Sequence, residues 1–281
     1  MLRYSLAILL IPSAAGLPAA TASQGQRLLA DAADVRLDEG DFASACLVAG
    51  GTNDPSELAE LRSQWNSLRE RIDTAAARDL PPGDLARKLH AMLHSEVLIG
   101  NYRADASDLR PAIRGGDFNC LSAAALYWDL ATEAGIDLEI WSRPGHVYLV
   151  EPGSGIVIEP GSKSWGTVPP VNDSLGRPNA ARQITPLQLV GKFYYNRGLT
   201  LLQQARHAEG LDCIRASLQL DPGDREARGN LLAGLNNWAV TLCGQERFSE
   251  ARLLIEQGLA IDAAYGPLVA NARYVRAHRS P

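Results

Sequence analysis

The strongest constraint on this fold is a change of period part-way along the chain. On either side of the middle, apolar residues recur every three or four positions, as on a helix. Between Leu138 and Ile158 they fall instead into three short runs: Leu138-Glu139-Ile140-Trp141, Val147 to Val150, and Ile156-Val157-Ile158. Arg143-Pro144-Gly145 and Pro152-Gly153-Ser154-Gly155 separate the runs, and turns this short predict a meander of antiparallel strands. A small sheet set among helices predicts an α+β chain.

The helical flanks are legible from caps and stripes. Asp54-Pro55 is a cap followed by proline in the first turn, and Leu58, Leu61, Trp65, Leu68 and Ile72 form one apolar stripe that ends before Leu80-Pro81-Pro82. A second helix carries Leu85, Leu89, Met92, Leu93 and Val97 on one face. His90 and His94 stand four apart on it, but HAMLH lacks the glutamate of HExxH and has no evident third ligand. The pair therefore reads as two histidines on a partly exposed face, and no metal site is expected. A third helix runs from Cys120 to Glu133, with Asn119 as N-cap, Leu121, Ala124, Ala125, Trp128 and Ala131 at helical spacing, and Gly135 after its end.

Composition narrows the function. With 281 residues, 46% hydrophobic and 21% charged, the chain carries too much apolar surface to be disordered. A net charge of -5 with no basic block gives nothing to drive counterion release, so nucleic acid is not an expected partner. Arg3, the apolar run Leu6 to Ile11, the breakers Pro12 and Gly16, and Ala20-Thr21-Ala22 predict a signal peptide over residues 1–22, and hence a periplasmic or secreted protein. The alternative is an uncleaved anchor, but the run is shorter than the roughly 20 residues that span a bilayer. No membrane span is expected after cleavage, and no cysteine follows to support a lipoprotein.

The four cysteines, Cys46, Cys120, Cys213 and Cys243, are far apart and form no CxxC, so any chemistry rests on one of them alone or on one long-range disulfide. Cys120 falls in the first turn of its helix, where unpaired N–H groups and the helix dipole favour thiolate; the alternative is a small apolar residue filling the helix start. His146 opens the second strand 26 residues later, and Glu159 closes the third after another 13. Antiparallel pairing brings those strand ends side by side, which predicts a nucleophile, base and orienting carboxylate. Asp137 and Glu151 rival Glu159 for the third role.

GGDFNCLSAAALYWDL, RPGHVYLVE and IVIEPGS resemble the core of the bacterial transglutaminase-like superfamily, papain-like thiol enzymes with a cysteine at a helix start and His and Asp on successive strands. The resemblance covers Leu89 to Ser162. It implies Cys120 as nucleophile, His146 as general base and Glu159 as orienter, with Glu standing where the superfamily usually has Asp. It implies acyl transfer from an amide or ester through a thioester, with the Cys120 N–H in the oxyanion hole. Asn101, Tyr102 and Asn119 are candidates for the second donor. Hydrolysis and transfer to an amine both remain open.

Beyond a Pro- and Gly-rich stretch, Pro169 to Asn179, the chain resembles tetratricopeptide repeats. One copy runs from Tyr194-Tyr195-Asn196-Arg197-Gly198 to Leu218-Gln219-Leu220-Asp221-Pro222, with a turn at Ala205. A second runs from Leu235 to Ala264, with Ala263 in place of the expected proline. Gly210 and Ala251, at small-residue contacts, lie 41 residues apart instead of about 34, predicting an insertion between the copies. A final helix, Pro267 to His278, follows; an ordinary helical bundle is the alternative. Cys213 and Cys243 are expected either as a disulfide or packed singly, and His207 and His278 at the surface.

The expected organisation is a signal peptide (1–22), a helical lead-in (23–98), a transglutaminase-like catalytic domain (99–180) and repeats (188–281). The expected function is an exported cysteine amidohydrolase or acyltransferase on peptide-like bonds, taking a peptide or protein substrate and needing no cofactor. The rival is a noncatalytic scaffold that binds a protein partner through the repeats.

Overall fold

The computed structural model describes residues 23–32, 41–71, 80–166 and 181–278. The expected leader, Ile72 and the stretch from Pro169 to Asn179 lie outside the described residues. Among those described, eleven α-helices surround one four-stranded antiparallel sheet, an α+β architecture. No helix among them is long and apolar enough to cross a membrane.

The N-terminal helices are α1 (Gln24–Asp31), α2 (Phe42–Gly50), α3 (Pro55–Glu70), α4 (Pro82–Met92), which runs on into a π-helical turn Leu93–Val97, and α5 (Leu109–Ile113). Helix α3 begins at the expected cap, with the Asp54 carboxylate accepting from the Glu57 N–H at 2.8 Å, and it buries Leu61, Trp65 and Leu68. Helix α2 is absent from the sequence reading for a physical reason. Ala43, Ala45, Cys46, Leu47, Val48 and Ala49 are all buried, so it has no polar face against which a stripe would stand out.

Helix α6 (Cys120–Glu133) is enclosed almost throughout and is pinned to α3 by one buried carboxylate. Asp129 accepts from the Trp65 indole N–H at 2.6 Å and from the Arg69 guanidinium at 2.8 and 2.6 Å. The sheet follows as β1 (Glu139–Arg143), β2 (His146–Glu151), β3 (Ile156–Ile158) and β4 (Arg182–Ile184), in spatial order β3-β2-β1-β4. Its register aligns Ile158, Leu149, Ile140 and Ile184 in one buried row across all four strands. Strand β4 is unanticipated: three residues with one buried side chain are too few to show alternation.

Only Thr185 separates β4 from α7 (Pro186–Gln203), which pairs with α8 (His207–Leu220). A second hairpin, α9 (Arg225–Gly244) and α10 (Phe248–Ile261), and then α11 (Gly266–Ala277) complete the chain. The hairpins turn through Ala205 and Glu246, both with φ near +60° and 41 residues apart. No separate loop holds the expected extra residues; they are taken up in α9, which is 20 residues long. Close backbone approach holds α7 to α8, because a Cβ on Gly198 would sit 2.8 Å from the Gly210 carbonyl oxygen. All four cysteines are free, so Cys213 and Cys243 pack singly. His207 is half-buried against the Trp238 ring at 5.7 Å, and His278 is exposed.

Two apolar cores meet on α7. Val190, Phe193 and Tyr194 belong to the core that includes α2, α6 and the sheet, while the adjacent Tyr195 belongs to the core of α9, α10 and α11. Cutting the chain at Gln188 is therefore expected to unfold the N-terminal part, which loses those large side chains from its interior. A soluble N-terminal fragment with a cooperative urea transition would contradict this.

Candidate active site

Local hydrogen bonding sets the start of α6. The Asn119 side-chain oxygen accepts from the N–H groups of Leu121 and Ser122 at 2.9 and 3.1 Å, and the Ser122 hydroxyl accepts from the Asn119 N–H at 2.9 Å. The Cys120 N–H takes no part in this cap and lies near the Tyr102 hydroxyl. Tyr102 is held there by a short bridge, in which Phe118 N–H donates to the Asn101 carbonyl at 3.1 Å and Arg103 N–H to the Phe118 carbonyl at 2.9 Å. The bridge needs glycine beside it, since a Cβ on Gly100 would overlap the Gly116 carbonyl.

The hairpins of the sheet bring the other two groups to Cys120. In the β2–β3 register Leu149 faces Ile158, so the next residue, Glu159, falls opposite Tyr148, two positions along the same face from His146. His146 Nε2 and Glu159 Oε2 lie 2.7 Å apart, which leaves Nδ1 of the imidazole for the thiol. Cys120 is only 9% exposed. Burial pushes its thiol up, but the His146 imidazole, the Val147 N–H and the Tyr102 hydroxyl outweigh it, and the thiol lies below its ordinary value. Burial alone would lower His146; its bonds to Cys120 and Glu159 raise it instead, to about 9. The imidazolium beside it favours the thiolate form of Cys120.

Cys120, His146 and Glu159 are thus brought together, and their rivals are occupied elsewhere. The Glu151 carboxylate caps the β2–β3 turn, accepting from the Gly153 and Ser154 N–H groups at 2.9 and 2.7 Å, and Asp137 is exposed. Asn101 is tied to Asp117, and the Asn119 amide donates to the Ala104 carbonyl at 3.2 Å. Tyr102 alone of the three oxyanion candidates faces the sulfur. Burial and the adjacent Cys120 charge push its phenol up to about 12, so it stays a proton donor at neutral pH. Cys46, fully buried, has its thiol raised well above the ordinary value by burial and by the charges of Asp129 and Asp41.

His94 is half-buried, as expected of a partly exposed face, but His90 differs. His90 is 3% exposed, its ring lies 4.7 Å from that of His94, and the two pack against Trp165 at 5.4 Å and Phe118 at 6.2 Å. The chain returns over them after β3, with the backbone of Glu159, Pro160 and Ser162 facing the imidazoles. A helix read alone could not announce that cover. No group of three His, Cys, Asp or Glu among the described residues is placed to hold a metal ion. Burial lowers both histidines, so below about pH 6.5 the unfolded chain takes up protons that the folded pair resists. Stability is expected to fall on acidification from pH 7 to pH 5, and less steeply in His90→Phe, as urea midpoints would register; parallel pH profiles would refute this.

A cleft of about 90 Å³ opens over Cys120, and its far wall comes from the helical hairpins, through Lys192, Tyr195 and Asn196 of α7 and Glu226 of α9. Sequence spacing carries no trace of these four, because they reach the site only through packing between elements distant in the chain. No family model matches the chain, and neither a curated protein nor a solved structure does.

Proposed function

We propose that this protein is an exported, transglutaminase-like thiol enzyme that acylates Cys120 from a peptide-like amide or ester, with tetratricopeptide-like hairpins forming one wall of its cleft. The observation that carries the reading is the 2.7 Å contact of His146 with Glu159 beside a buried cysteine whose thiol is lowered. Export rests on the signal pattern of residues 1–22.

The Cys120 thiolate attacks the acyl carbonyl, and the oxyanion so formed is received by the Cys120 N–H and the Tyr102 hydroxyl. Collapse breaks the bond to the leaving group, which takes its proton from the His146 imidazolium and leaves a thioester. Water or an amine then attacks the thioester while His146 accepts its proton. Collapse expels the thiolate, and Glu159 holds the imidazole in register through both steps. Every proton passes between His146 and the reactants, so the sequence needs neither metal nor cofactor.

The test is alkylation of the intact protein by iodoacetamide from pH 5 to 9, with each cysteine located by mass spectrometry. Cys120 is expected to react well below the free-thiol range near pH 8.5, and Cys46 not to react in the folded state. Equal pH profiles at the two cysteines would remove the nucleophile. Tyr102→Phe is expected to lower turnover about a hundredfold while Cys120 still alkylates, as loss of one oxyanion donor would; unchanged turnover would assign Tyr102 elsewhere.

A further inference from the structure

One charged group in the cleft is left unexplained by acyl transfer. Arg143 ends β1, and the sheet register pairs it with His146, so its side chain shares a face with the imidazole and lines the same cleft as Cys120. The other charges there are answered. Lys192 Nζ lies 2.6 Å from Asp224 Oδ2, and the Glu226 carboxylate stands beside the Tyr195 hydroxyl. Arg143 has no carboxylate within ion-pair distance among the described residues, and its Nε is buried without a hydrogen-bond partner. Arg143 is half-buried, so its remaining guanidinium nitrogens stay open to the cleft, and their planar fork matches a carboxylate. The lowering of the Cys120 thiol is accounted for by His146, Val147 and Tyr102.

We infer that Arg143 is the substrate anchor of this cleft, binding a carboxylate carried by the peptide close to the carbonyl that Cys120 attacks. The inference rests on the thiol-enzyme reading above and adds the substrate class, a peptide with an acidic group within about one residue of the reacting bond. The carboxylate has two sources, the free end of a peptide or an acidic side chain.

Two small probes separate this inference from the reading beneath it. Iodoacetate and iodoacetamide alkylate the same thiolate, but only the first brings a carboxylate. In the wild-type protein Cys120 is expected to favour iodoacetate, and Arg143→Met to lower the iodoacetate-to-iodoacetamide rate ratio about tenfold to a hundredfold, the range of a charge-assisted hydrogen bond. Arg143→Lys should recover part of the ratio. In wild-type protein, independently of any variant, propionate should slow iodoacetamide at Cys120. A ratio unchanged in Arg143→Met with no protection by propionate would overturn the anchor while leaving the nucleophile standing. Equal loss with both probes would show Arg143 acting on the thiolate and also overturn it. No fast labelling of Cys120 by either probe would instead remove the underlying thiol-enzyme reading. Three matched peptides then distinguish the sources: one with a free α-carboxylate, one amidated, and one amidated with glutamate beside the scissile bond. The first or third should exceed the second in kcat/KM by at least about tenfold, and equality of all three would contradict the inference.

Discussion

Replacing His146 with alanine is expected to lower acyl-enzyme formation at neutral pH by about a thousandfold or more, and Cys120→Ala to abolish it. Cys120 sits almost out of water, where burial by itself raises a thiol. Without the imidazolium the sulfur returns to the protonated form and the leaving group loses its acid. Glu159→Gln keeps a hydrogen-bonding group near Nε2 but removes the charge that holds up the His146 pKa, so a smaller loss is expected, with acyl transfer weakening at a lower pH than in the wild type. The ion pair also contributes stability with a definite sign. The raised His146 favours the folded state below about pH 6.5, and that contribution is lost as pH rises through about 9. Intact-mass detection of the thioester, with circular dichroism to confirm folding, measures both. A His146→Ala variant that acylates at the wild-type rate would dismiss His146 as the base.

Asp129→Ala is expected to cost about 3–5 kcal/mol of stability, the range for removing one partner of a buried ion pair. The carboxylate receives three hydrogen bonds, and its loss leaves the Trp65 indole N–H buried with no acceptor and the half-buried Arg69 guanidinium with only the Asn66 amide oxygen. The effect should reach the site, because Asp129 lies on the helix that starts at Cys120 and fixes it against α3. An unfolding free energy from urea titration within about 0.5 kcal/mol of the wild type would show that water replaces the carboxylate.

The candidate triad was legible because each member sits where local rules speak loudly. Cys120 follows an asparagine cap, His146 follows a tight turn, and Glu159 ends an apolar strand, so cap, turn and alternation locate all three. The sequence left Tyr102 as one of three oxyanion candidates, and selection needed the bridge between Asn101 and Phe118. Helix α2 and strand β4 were silent for opposite reasons, the one apolar on every side and the other too short for a period. The cover over His90 and His94, and the contribution of Lys192, Tyr195, Asn196 and Glu226 to the cleft, depend on contacts between segments far apart in the chain.

Helix α7 has consequences for how such a chain can change over generations. Its Phe193 and Tyr194 face one core, Tyr195 faces the other, and Lys192 and Asn196 look into the cleft. Recombination at the strand–helix junction would separate a sheet from the helix that seals it, so these hairpins are poorly suited to being gained, lost or traded as a unit. A substitution in the hairpins that merely tilts α7 would be felt at the sulfur of Cys120. On the proposed thiol-enzyme reading, substrate preference is therefore open to selection from positions that never touch the substrate.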